Sequence, residues 1–78
     1  MSRDAAPKKR SVRISGHETS ITLEEPFWQA LRDIADEQGF SVNQLMSDID
    51  KDREGNLSSA LRVYILQYFQ EKSAQQAF

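Results

Sequence analysis

The chain has no cysteine and a single histidine among its 78 residues. The first absence excludes disulfides and thiolate metal sites. The second makes a zinc site built from protein ligands alone an unexpected feature. Three glycines are too dispersed to form a phosphate-cradling loop. No Ser-His-Asp set can be assembled when the lone histidine, His17, sits in an alternating, strand-like stretch without a pocket, so no enzyme and no cofactor are expected. No apolar run approaches the roughly 20 residues that span a bilayer. The N-terminus is basic, but no apolar stretch follows it, so it does not read as a secretory signal. A soluble cytoplasmic protein with no membrane partner is the expectation. A chain this short buries a modest core and usually needs a staple. With disulfides and metals set aside, association with a second subunit is the expected one.

Charge is plentiful but uneven. Residues 1–13 carry five basic side chains, Arg3, Lys8, Lys9, Arg10 and Arg13, against Asp4, a net +4. Residues 14–78 carry five basic and eleven acidic ones, a net −6. A basic arm on an acidic body is a footprint of nucleic-acid binding. It is also what a solvated tail looks like, and the arm alone does not choose.

Residues 1–10 are polar, aperiodic and contain Pro7, so they read as a disordered arm. The folded domain is expected over 11–72 and a flexible tail over 73–78. SVRIS, residues 11–15, alternates weakly and is either a short strand or an extended lead-in, with Gly16 and His17 as turn residues. Residues 17–24 are the better strand: Thr19, Ile21 and Leu23 share one face, while Glu18, Ser20 and Thr22 share the other. A helix is predicted over Glu25–Gln38. Pro26 suits its first turn, and Glu24 and Glu25 suit its positive end. Phe27, Ala30, Leu31, Ile34 and Ala35 form its stripe, and Gly39 stops it. Trp28 and Phe27 are expected in the core or at a dimer interface.

Ser41 opens a second helix, with Gln44 completing a capping box. Val42, Leu45, Met46 and Ile49 form its buried face. DKDREGN, residues 50–56, reads as a charged loop. The alternating acids Asp48, Asp50, Asp52 and Glu54 lack the glycine and closing glutamate of a calcium loop. A solvated loop or partner site is expected instead. Asn56 or Ser58 can cap a third helix over about Leu57–Lys72. Its apolar set is Leu57, Ala60, Leu61, Tyr64, Ile65 and Tyr68, with Val63, Leu66 and Phe69 besides. That is more than one face holds, and a second subunit is expected to cover the remainder. Arg62 is expected to pair with an acid of that subunit. The strand of residues 17–24 is expected to pair antiparallel with its symmetry mate, making a ribbon whose width fits the major groove.

TSITLEEPFWQALRDIADEQGFSVNQLM, within residues 18–46, resembles a ribbon-helix-helix domain of the Arc/MetJ type. ALRVYILQYF, residues 60–69, resembles the end of that family's second helix. RSVRISGHETSITLEEPFW followed by GNLSSALRVYILQYF is similar to a subfamily of small bacterial proteins. The resemblance implies a mostly α fold with a short β-ribbon and an intertwined homodimer. Its second helix is split or extended by SDIDKDREGNLSS, residues 47–59. It also implies a double-stranded DNA partner, with Glu18, Ser20 and Thr22 facing bases. The start of the second helix, Ser41, Val42 and Asn43, would hold a phosphate, as free N–H groups at a helix start can. Base-facing strands of the family often carry Arg, Lys, Asn or Gln, and this one does not. The charge for phosphates is then expected from Lys8, Lys9, Arg10 and Arg13. The dimer contact and core are expected from Ile21, Leu23, Phe27, Trp28, Leu31, Leu45, Leu61, Tyr64, Ile65 and Tyr68. The functional expectation is a transcriptional regulator, a repressor or antitoxin-like, as a homodimer or higher assembly on DNA. The alternative is a dimerisation or protein-interaction module with weak or no DNA binding, engaging an unidentified protein partner.

Overall fold

The computed structural model describes residues 6–52 and 55–75. Two antiparallel strands, β1 (Pro7–Ile14) and β2 (His17–Glu24), precede three helices, α1 (Glu25–Gln38), α2 (Val42–Asp52) and α3 (Leu57–Gln75). The strands form one hairpin in register Ile14↔His17 through Pro7↔Glu24. Ser15 and Gly16 make its two-residue loop with φ 53° and 82°, the left-handed pair that matches strand twist.

Two expectations are corrected by this hairpin. Residues 7–10, read as part of a disordered arm, belong to β1. The partner of β2 is β1 of the same chain rather than a symmetry mate. The alternation in β1 is hard to read because Lys8 and Arg10 fall on its inward face, opposite Leu23 and Ile21. Hydrogen-bonded and open pairs alternate along an antiparallel ladder. Counting from the closing pair Ile14↔His17, Pro7 opposite Glu24 is an open pair. Its missing N–H therefore leaves the ladder intact.

The inward face of the hairpin, Ile14, Ile21 and Leu23 with half-buried Val12, lies on a core completed by the helices. α1 gives Trp28, Leu31, Ile34 and Ala35, α2 gives Leu45 and Met46, and α3 gives Leu61 and Ile65. Phe27, Tyr64 and Tyr68 pack against this core half-buried. The stripe of α1 is turned towards Trp28, leaving Phe27 and Ala30 at its margin.

α1 keeps the bounds its sequence predicts, ending on Gly39 with φ 80°. There the N–H of Gly39 donates to Asp36 O and that of Phe40 to Ala35 O, a Schellman stop. An added Cβ would meet nothing within 4 Å. Gly39→Ala should therefore destabilise by roughly 1–2 kcal/mol through backbone conformation alone, readable as a lower denaturation midpoint.

The charged stretch from residue 50 does not begin a loop: α2 continues to Asp52. Charged side chains are compatible with an exposed helix, and the punctuating Gly55, φ 84°, comes later. Asn56 Oδ1 then accepts from Ser59 N at 3.1 Å and caps α3. That helix runs to Gln75 and absorbs residues 73–75 of the expected tail. Residues 1–5 and 76–78, the rest of the arm and tail, lie outside the described residues.

Candidate nucleic-acid interface

Side chains alternate across a strand, so the register fixes the outward face of the hairpin. β2 places Glu18, Ser20 and Thr22 there, and β1 places Lys9, Ser11 and Arg13 directly opposite Thr22, Ser20 and Glu18. All six are exposed. Among the described residues the side chains of Lys9 and Arg13 make no ion pair and no hydrogen bond. The charge missing from β2 is thus supplied on the same face by its neighbour.

Lys8 and Arg10 have a different setting. On the inward-pointing side of β1 they reach Glu25 in the first turn of α1. Lys8 Nζ lies 3.6 Å and Arg10 Nη2 3.2 Å from Oε1, while Arg32 Nη2 lies 3.1 Å from Oε2. The guanidinium of Arg10 also sits 5.0 Å from the centroid of the Trp28 ring, a cation–π distance. The four basic residues expected to act together on phosphate are therefore divided between two faces.

The outer edge of β2 is closed by α3. Ser58 Oγ accepts from Thr22 N at 3.3 Å, and Arg62 Nη2 donates to Thr22 O at 3.3 Å. Arg62 also pairs with Glu24 at 3.0 Å, so its acid belongs to its own chain rather than to another subunit. This clamp joins residues 36–40 positions apart, and no local pattern announces it.

The edge of β1 meets the start of α2, where Asn43 Nδ2 donates to Arg13 O at 3.4 Å. Ser41 Oγ accepts from Gln44 N at 3.0 Å. The reciprocal half of the expected capping box is missing, because Gln44 Nε2 turns to Asp48. The N–H groups of Val42 and Asn43 make no hydrogen bond among the described residues, and this helix start lies beside β1, where Asn43 reaches Arg13. A helix start of this kind suits an anion. At the β2 edge of the ribbon a groove is lined by Glu18, Ser20, Asp50 and Asn56, and its carboxylates disfavour phosphate.

Two carboxyls hold the ribbon to the helices. Hydrogen bonding from its own backbone N–H lowers the Glu24 carboxyl; desolvation opposes this, and Arg62 reinforces it. Desolvation raises the Glu25 carboxyl, but the Arg32 hydrogen bond and the charges of Lys8, Arg10 and Arg32 outweigh it and leave a net lowering. Depressed carboxyls stabilise the fold above the ordinary carboxylate range, and that contribution is lost as pH falls through their folded values. The melting temperature should therefore drop below about pH 4, and the drop should be smaller in a Glu24→Gln, Glu25→Gln variant. A thermal melt series from pH 7 to pH 3 measures it.

The ribbon-helix-helix domain family matches residues 7–69, and the chain belongs to that family. Ribbon-helix-helix domains are typically DNA-binding transcription regulators that act as dimers, and they are generally not enzymes. The solved structure of an uncharacterized protein from Bordetella pertussis Tohama I is similar, with 33% identity and a TM-score of 0.75. The match covers 97% of this chain and 65% of that one. This chain therefore spans just under two-thirds of the length of that relative. No curated protein matches. Among the described residues no helix is long and apolar enough to cross a membrane.

Proposed function

We propose that this protein is a dimeric, sequence-specific DNA-binding regulator that inserts the outward face of its hairpin into the major groove. The observation that carries the reading is the composition of that face. Ser20 and Thr22 are flanked across the ladder by Ser11 and Lys9, with Arg13 near the turn. Hydroxyls can donate to or accept from base edges, and Glu18 can accept from cytosine. Lys9 and Arg13 supply the charge, with the open N–H groups of Val42 and Asn43 beside Ser41 for a phosphate. Contacts of this second kind fix register, whereas base contacts carry sequence.

The dimer rests on the surface of α3. Val63, Leu66 and Phe69 are 51%, 57% and 44% exposed, and Phe40 nearby is 47% exposed. Large apolar side chains gathered on one side mark an interaction surface, and a second copy satisfies the symmetry such regulators use.

A protein-interaction module is the second reading. A groove of about 550 Å³ between α2 and α3 favours it, lined by Phe40, Leu45, Ile49 and Val63 with Asp48 and Asp52 at its margin. Binding of the purified protein to a random pool of DNA duplexes at two salt concentrations separates the readings. Selection of one sequence, retained at the higher salt, supports the regulator. Weak binding without preference that disappears with salt leaves only electrostatics and favours the protein-interaction module.

A further inference from the structure

We infer that Glu25 is a specificity-determining residue: by holding Lys8 and Arg10 against α1, it withholds two of the four basic residues of β1 from DNA phosphates. The inference rests on the DNA-binding reading and adds a division of labour within one strand. β1 runs Lys8, Lys9, Arg10, Ser11, Val12, Arg13, so strand alternation alone sends its first three cations to two sides. A flexible arm of this composition would offer every cation to any duplex. In the fold, one carboxylate fixes the inward pair at 3.6 and 3.2 Å, and Trp28 backs the guanidinium of Arg10 at 5.0 Å. Glu25 is itself held on its other oxygen by Arg32 at 3.1 Å. It stands in the first turn of α1, where the helix dipole favours an anion.

The consequence lies in the ratio of specific to random binding. Phosphate neutralisation supplies essentially all non-specific affinity, with a salt slope of about −0.9 per phosphate contacted. Cations withheld from phosphate lower random binding without touching the base-facing hydroxyls. Since competing genomic sites vastly outnumber operators, the discrimination ratio is the quantity that matters. A Lys or Arg already paired with a carboxylate must surrender that pair to reach a phosphate. Lys9 and Arg13 have no such pair to give up among the described residues.

The test compares Glu25→Gln with Glu71→Gln, an equal change in net charge at an exposed residue of α3. The readouts are the salt at which each elutes from heparin and the salt slope for a random-sequence duplex. Glu25→Gln should elute later than Glu71→Gln, and its slope should steepen by about two, one increment of roughly 0.9 for each of Lys8 and Arg10, while Arg32 keeps its hydrogen bond to Gln29 on α1. Adding Lys8→Gln and Arg10→Gln should abolish the gain. The same pair of substitutions in the wild-type background provides a measurement that does not depend on Glu25→Gln folding. It should leave the slope unchanged, whereas a slope shallower by about two would mean that Lys8 and Arg10 already contact phosphate. Equal elution and slope for the two glutamine variants would overturn the inference. Heparin reports on the cations without any requirement for a DNA sequence. A wild-type protein that selects no duplex would therefore remove the regulator reading while leaving the role of Glu25 separately measured.

Discussion

Leu61→Ala is expected to destabilise the domain by about 2–5 kcal/mol, the range for truncating a fully buried leucine. Leu61 has no exposed surface, and with Ile65 it is the part of α3 enclosed by the rest of the chain. A small domain has roughly 5–15 kcal/mol in total, so this one side chain is a large fraction of it. Each kcal/mol shifts the melting temperature of a domain this size by about 4–8 °C. The effect should also reach the ribbon. Ser58 and Arg62, on either side of Leu61 along α3, hold the N–H and C=O of Thr22. Loosening α3 should speed hydrogen exchange at the Thr22 amide more than at Ile21, whose amide points into the hairpin ladder. Leu66 is the counterpart, more than one turn further on and 57% exposed. Leu66→Ala should change the stability of an isolated protomer by no more than about 0.5 kcal/mol. A larger loss at high protein concentration that shrinks on dilution would place Leu66 against a second copy. Denaturation of both variants at two protein concentrations measures core and interface separately.

The parts of this fold that are legible in the sequence are those fixed by neighbours in sequence. Pro26 and Gly39 bracket α1 because a missing N–H and a left-handed φ are properties of single residues. The face carrying Glu18, Ser20 and Thr22 follows from alternation alone. β1 is harder, because two of its inward positions are Lys8 and Arg10. They keep much of their side chains in solvent and are received by Glu25 and Trp28, fifteen to eighteen residues away. The end of α2 is illegible for a related reason: a run of charges signals solvent, and an exposed helix and a loop both satisfy that signal. The charge on the candidate interface cannot be assigned until the partner of β2 is known. Pairing β2 with a copy of itself gives a face of acids and hydroxyls, whereas pairing it with β1 adds Lys9 and Arg13. Strand pairing is a long-range choice, and the electrostatics of the ribbon are set by it.

Two double variants of that ribbon should separate positioning from reading. Lys9→Ala with Arg13→Ala removes two cations from the outward face and leaves the Glu25 contacts in place. Affinity should fall for every duplex alike, and the salt slope should become shallower by about two. Ser20→Ala with Thr22→Ala removes hydroxyls and no charge. The clamp on Thr22 uses its backbone, so the hairpin keeps its edge contacts to Ser58 and Arg62. Here the slope should stay constant while discrimination between the selected duplex and a scrambled one falls, by about 1–3 kcal/mol for each base the hydroxyls no longer read. Titrations of both duplexes at three salt concentrations yield slope and discrimination from one data set. If the hydroxyl variant discriminates as well as the wild type, the ribbon does not read bases through β2. Ser11, the remaining hydroxyl at the centre of that face, would be the next position to change. If neither variant alters binding, the outward face is not the DNA surface, and the apolar groove between α2 and α3 becomes the stronger candidate for the working surface of the protein.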